Sequence, residues 1–354
     1  MAAGNRPITT QSLHTKQLRA AKPAASGGRV CVGLFSAWLL TACTPSPESM
    51  WQDYRDRLQR VLDQPLKLEY EPASRALPVL TAAGFATKQP APTTPTLSLL
   101  EVEQTRACGL DQLAAERNSQ LGKVMTPSVR LHYELRLLSL LPSCIALPAL
   151  STALREKLQL IYQQKTRDIY PAFQYMLAAD ATIRSQLQGS LRGIRSGAVS
   201  STADEQGLRQ LVQLRQYIKQ EQYTQASQLD VNAALALLYS SQLMADVQPG
   251  LNASLVSVRQ LNDQLEQIDV ERLCRADATI RDNVLQTIFI EKIQPELAAL
   301  DGISSRLEML LNELYQDHPL LPEIQQRYQD RRLALQQQLQ RHVQFWQRWR
   351  QCGR

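Results

Sequence analysis

The chain has 354 residues, 44% of them apolar and 20% charged, with 39 Lys and Arg against 33 Asp and Glu and a pI near 9.0. That length holds one large or two ordinary domains with real cores. The basic balance invites a nucleic-acid reading, but Arg6, Lys16, Arg19, Lys22 and Arg29 put five of the 39 cations and none of the 33 acids before residue 43. The remaining 312 residues carry 34 basic against 33 acidic side chains, a net charge of +1, which excludes an electrostatic case for nucleic acid.

Val30 to Leu40 is a mostly apolar run of about eleven residues, inside the roughly 7 to 15 of a signal-peptide core and short of the ~18 needed to span a bilayer. The basic stretch before it is long for an export signal, which predicts a true start downstream of Met1 with the same exported product. Leu40, Thr41, Ala42 and Cys43 resemble the lipobox of bacterial lipoproteins, where diacylglycerol is joined to the thiol and the chain is cut just before it. Ala42 supplies the small residue at the cut, whereas a plain secretory site prefers a small residue where Leu40 stands. The likeness implies a signal peptide at 1–42, then a lipidated Cys43 and tether at 43–48. In lipoproteins of this kind a third acyl chain, such as palmitate, goes on the new amino terminus, and two or more chains make membrane attachment stable. Thr44, where an aspartate would favour inner-membrane retention, implies the periplasmic face of the outer membrane. Plain secretion and a retained signal anchor are the rival readings.

Leu, Ala, Gln, Arg and Glu dominate the rest, residues that lose least on entering a helix. The class is all-α: a multi-helix bundle of about nine to eleven helices, read as a single domain over 49–354. Ser46 with Pro47 opens the first helix, and Trp51, Tyr54, Leu58, Val61 and Leu62 share one face. Trp51 reads as core, with contact to lipid headgroups as the alternative. An extended Pro-rich segment follows at 64–97, where Pro65, Pro72, Pro78, Pro90, Pro92 and Pro95 block helix. Leu66, Leu68 and Tyr70 alternate with charges, as in a strand-like strap across helices.

The spacing predicts a helix over 97–122 ending at Gly122, and a buried one from Thr126 and Pro127 with Leu131, Leu135, Leu138 and Leu141 broadened by Leu137 and Leu140. Leu154, Leu158, Ile161 and Ile169 mark the next, with a break or kink at Pro171 and a further helix to about Gly189. The glycine- and serine-rich stretch 189–202 is the best internal boundary. Thr202 and Glu205 then match a capping box, and helices are predicted over 203–224, 229–246, 252–268, 270–300 with a kink at Pro295, 303–316 and 320–351. The hexapeptide ADATIR occurs at Ala179 and again at Ala276; the flanks do not match, so it reads as coincidence.

Downstream of Cys43 lie Cys108, Cys144, Cys274 and Cys352, an even number that in an oxidising compartment argues for two disulfides. Three pairings are open. Cys108 with Cys144 would bracket one helical hairpin, and Cys274 with Cys352 would tie the last helix to an earlier one, so these are favoured. Zinc is the weaker reading: no Cys-x-x-Cys occurs, and His132, His318 and His342 lack ligand spacing. No cofactor is implied.

No local motif of an enzyme is present: no Gly-x-Ser-x-Gly, no His-Glu-x-x-His, no phosphate loop around Gly122 and Lys123. An acid in a cleft needs no motif, and Glu116, Glu134 or Glu156 is placed to serve as one. The reading leans against catalysis. The densest polar cluster is Glu116, Arg117, Asn118 and Lys123, read as a clamp on a helix terminus with Glu116 as counter-charge, or as a grip on an anionic ligand. The last helix carries Arg331, Arg332, Arg341, Arg348, Arg350 and Arg354 with no acid after Asp330, opposite an apolar face of Tyr328, Leu335, Leu339, His342, Val343, Trp346 and Trp349. A solvated basic face is the plain reading, contact with lipid phosphates or a polyanionic envelope polymer the functional one. His342 reads as a core histidine.

CGLDQLAAERNSQLGKVM (Cys108 to Met125), RLCRADATIRDNVLQTIFIEKIQPELA (Arg272 to Ala298) and HVQFWQRWRQC (His342 to Cys352) resemble an uncharacterised family of predicted bacterial lipoproteins, the domain of unknown function numbered 3080, from about Trp51 to the end. The resemblance implies an envelope location and brings no activity or catalytic residue. The whole reads as a lipid-anchored periplasmic protein of the Gram-negative envelope, a non-catalytic binding or scaffold protein with a membrane and an envelope protein or polymer as partners. The alternatives are an envelope enzyme acting on peptidoglycan or lipid, and a carrier of small molecules or lipid.

Overall fold

The computed structural model describes residues 47–69, 96–189 and 202–352. The leader, Cys43, the stretch 70–95, residues 190–201 of the boundary segment and Arg354 lie outside the described residues. Helix α1 (Pro47–Leu62) follows its pattern: Trp51, Tyr54, Leu58 and Leu62 recur at steps of three and four and are all buried. Trp51 is a core residue, its indole N–H donating to Ser254 Oγ at 3.4 Å.

The chain then runs extended over 65–69, with Leu66 and Leu68 turned into the core. The backbone between them is held by side chains. Lys67 N–H donates to Gln264 Oε1 (2.8 Å) and the Lys67 carbonyl accepts from Gln264 Nε2 (2.7 Å); Glu69 pairs the same way with Gln260 (3.0 and 3.3 Å). Two glutamines one helical turn apart thus stand in for a neighbouring strand, meeting alternate residues while the others face inward. Among the described residues there is no β-strand.

The expected helix over 97–122 is four short pieces: α2 (Leu99–Glu103), a 3₁₀ turn at Arg106–Cys108, α3 (Leu110–Asn118) and α4 (Gln120–Lys123). Gly109 ends the 3₁₀ turn at φ 82°, a left-handed conformation that costs glycine little. Ser98 opens α2 with a full capping box, donor and acceptor shared with Glu101.

Helices α5 (Pro127–Ile145) and α6 (Thr152–Ala179) form a hairpin that walls two apolar clusters. Leu131, Leu135 and Leu138 face the main core, while Tyr133, Leu137, Leu141 and Cys144 face a smaller one with Leu110, Leu113, Leu154 and Leu158. The wide apolar stripe of α5 has this cause. Cys108 is bonded to Cys144 (Cα–Cα 5.2 Å), closing the smaller cluster. Pro171 does not break α6: it lies on the solvent face, and burial of Ile169, Phe173, Met176 and Leu177 around it holds the helix through.

The break falls instead at Asp180, whose carboxylate accepts from the N–H groups of Thr182 and Ile183 to start α7 (Ala181–Gln188). Asp277 does the same for Thr279 and Ile280 at the head of α13 (Ala278–Val284). The two ADATIR copies therefore adopt one local structure, because the aspartate caps whatever helix follows it.

Helix α8 (Thr202–Lys219) leads through α9 (Tyr223–Gln228) to α10 (Val231–Ser241). Next, α11 (Leu243–Leu265) runs unbroken through Pro249 and Gly250, where a junction between 246 and 252 was expected. Its start is set by a left-handed Gln242 (φ 54°) and by Asp204 of α8, which accepts from Met244 N–H. Beyond α12 (Val270–Arg275) and α13, Leu285–Ile293 is a π-helical stretch leading into α14 (Gln294–Leu314), so the expected gap near 300 is absent. A short α15 (Leu321–Gln325) and a second π turn, Gln326–Asp330, enter α16 (Arg331–Arg350). Cys274 is bonded to Cys352 (Cα–Cα 4.9 Å), joining the end of α12 to the end of α16. Thr44–Arg354 is one compact unit, with sixteen α-helices among the described residues in place of the nine to eleven expected, the surplus coming from capped and π-type interruptions. No described helix is long and apolar enough to cross a membrane.

Candidate functional site: a cation-lined cavity

The polar cluster at the end of α3 splits in two. Glu116 turns outward and pairs with Arg136 of α5 (2.8 Å), so it is not the counter-charge of Arg117. Arg117 instead donates to the carbonyl of Gly122, closing the α3–α4 turn, as an arginine clamp on a helix end should. Gly122 is obligatory there: a Cβ would run into the carbonyl oxygens of Glu116 and Arg117. Ser119 completes the turn by accepting from Gly122 N–H at 3.0 Å.

On its inner side the same turn lines a cavity of about 470 Å³ between α3, α5 and α6, within the roughly 300 to 1,000 Å³ of small-molecule sites. Arg117, Asn118 and Lys123 enter it from the turn, Arg130 and Glu134 from α5, and Lys165 from α6. Its floor is apolar, with Leu137, Leu141, Leu158 and Ile161 from the smaller core. Glu134 is buried, with Lys165 Nζ at 2.7 Å and Arg130 Nε at 4.0 Å. Burial pushes the Tyr133 hydroxyl, also in the lining, up to about 12. Among the described lining residues four cations stand against one carboxylate, an excess of three positive charges above a leucine floor. Such a cavity is built to hold an anion with an apolar body.

Of the acids weighed for catalysis, Glu156 is exposed, Glu116 is engaged with Arg136, and Glu134 alone enters the cavity. Among the described residues no second carboxylate lines it, so paired acid–base chemistry has no second partner among them. Arg130, Tyr133 and Lys165 were missed by sequence reasoning. They stand 13 to 48 residues from Arg117 on separate helices, and the one available signal was their place on α5 and α6 beside the leucine stripe.

His342 is wholly buried in a polar knot. Asn262 donates through Nδ2 to Gln338 O (2.8 Å), which leaves its Oδ1 to accept from His342 Nδ1–H (2.8 Å). His342 Nε2 is then the acceptor for Tyr54 O–H (2.6 Å), and Trp346 N–H donates to Tyr54 Oη (2.8 Å). Burial pulls the imidazole down to about 3, so it stays neutral. Tyr54, Asn262, His342 and Trp346 are all buried, and the knot organises the core where α1, α11 and α16 meet.

The basic face of α16 is only partly free. Arg332 pairs with Glu308 (2.9 Å) and Asp301, Arg341 with Asp263 (2.8 Å) and Glu266, and Arg331 donates to Asn252. Acids on neighbouring helices thus offset Arg332 and Arg341, while Arg348 and Arg350 lie exposed; the apolar side gains Phe345, and Val343 lies exposed. Among the described residues no three His, Cys, Asp or Glu converge on a point that would hold a metal.

Fold and cavity together define a class: an all-α, disulfide-bonded protein with a cation-lined pocket under a short helical turn. The chain belongs to the family described as protein of unknown function (DUF3080), which it matches over residues 51–354. No curated protein and no solved structure matches it.

Proposed function

We propose that this protein is an exported lipoprotein, cut before Cys43, acylated there and held at the periplasmic face of the outer membrane, where its helical body is a non-catalytic binding protein and the cavity beneath the α3–α4 turn its binding site. The observation that carries the reading is the cysteine count: the two disulfides account for all four cysteines downstream of Cys43, so a thiol following a lipobox-like run is left over for acylation. Two disulfides fit an oxidising compartment. The cavity supports binding over catalysis, since among its described lining residues four cations stand against one carboxylate, Glu134, which is engaged by Lys165.

The test is metabolic labelling with an alkyne-bearing palmitate, followed by membrane fractionation. The wild-type chain takes up label and stays with the membrane, and Cys43→Ala loses both. Label persisting on Cys43→Ala, or none on the wild type, overturns the proposal.

A further inference from the structure

We infer that the cavity takes an anionic acyl lipid, its acyl chain on the leucine floor and its phosphate or carboxylate head on Arg117, Lys123, Arg130 and Lys165. The inference rests on the binding-protein reading and names its ligand class. Two independent observations converge on it. The first is the lining: among the described residues four cations against one carboxylate share a cavity with leucine, isoleucine, valine and alanine, which asks for a molecule with both chemistries.

The second is the exposed apolar surface of the two segments that supply the lining residues Leu97 and Lys123. Leu99, Leu100, Leu121 and Val124 are between 75% and 89% exposed, the four most exposed large apolar side chains described. They are not scattered. Leu99 and Leu100 follow the lining residue Leu97 by two and three positions, and Leu121 and Val124 flank the lining residue Lys123. Apolar side chains presented to solvent next to cations match the residue mix with which proteins rest on a bilayer surface, the apolar groups in the acyl boundary and the cations at the headgroups. An acidic peptide or a free anion would explain the charge and leave the four exposed aliphatics unexplained. A lipid entering from a membrane uses both.

The test uses the purified full chain and phosphatidylcholine vesicles doped with a trace of one photoactivatable probe: lysophosphatidic acid (phosphate head), palmitate (carboxylate head) or monoacylglycerol (uncharged head). After irradiation the crosslinked peptides are mapped. Both anionic probes should label residues 110–165, the uncharged probe about tenfold less. Lys123→Glu, at an exposed position, should cut anionic labelling by about tenfold with the melting temperature unchanged. Excess inorganic phosphate should leave labelling intact. Equal labelling by the uncharged lipid, labelling mapped elsewhere, indifference to Lys123→Glu, or displacement by inorganic phosphate each overturns the inference. The readout lies at 110–165 of purified protein and not at Cys43, so failure of palmitate labelling in cells leaves it standing, and its own failure leaves the anchor standing.

Discussion

Asp204 is wholly buried with no ion pair among the described residues, and its carboxylate serves as a cap for a helix 40 residues away. Burial pushes it up to about 6 from the ordinary 3.8, against the pull of its bonds from Ser241, Met244 and Leu243. The folded state therefore holds the proton more tightly than the unfolded one. This contribution is full below about pH 4 and is lost as pH rises through about 6. His342 has the opposite sign: lowered to about 3, it supports the fold above about pH 6.5 and loses that support as pH falls toward 3. Thermal unfolding of Asp204→Asn and wild type from pH 4 to 7 separates them. The variant should gain roughly 2 to 3 kcal/mol on the wild type between pH 4 and 7, and a difference that does not vary with pH refutes the assignment. His342 is legible in the sequence as a histidine inside an apolar stripe. Its partner Tyr54 is 288 residues away and is not.

At the scale of elements, helix boundaries here are decided by caps. Asp180 and Asp277 each satisfy two orphan N–H groups at a helix start. Asp180→Ala and Asp277→Ala should each cost about 1 kcal/mol in chemical denaturation, and the equal local geometry predicts equal losses to within a few tenths. A strong inequality would mean the repeated hexapeptide is placed by its surroundings and not by its own chemistry. Prolines, by contrast, mislead: Pro171 and Pro249 lie inside long helices whose flanking side chains are buried on both sides. Tertiary packing outweighs the lost hydrogen bond, which is why breaks expected at these residues appear at Asp180 and Gln242.

At the scale of the whole molecule, the two disulfides close loops of 36 and 78 residues, each worth roughly 3 to 5 kcal/mol on a chain-entropy estimate. Replacing Cys274 and Cys352 with serine should lower the melting temperature of the entire body, because that bond ties the last helix to the main core. Replacing Cys108 and Cys144 should act locally, speeding amide exchange over 110–161 around the smaller core and the cavity while leaving α11 and α16 protected. Uniform loss of protection in the second variant would show that the smaller core has no independent stability.

Residue types and their spacing determined the all-α class, the apolar face of α1, the alternation at Leu66 and Leu68, and the even set of cysteines, because each is a periodicity along the chain or a matter of composition. The cavity did not follow from them. Arg117 and Lys123 come from a turn, Arg130 and Glu134 from α5 and Lys165 from α6, and only the folding of three helices onto a second small core sets their charges against one another. The fate of Arg332 and Arg341 on α16 was decided in the same way: Asp263, Glu266, Asp301 and Glu308 lie far off in the chain, and a charge is free or spent according to what the fold brings within a few ångströms of it.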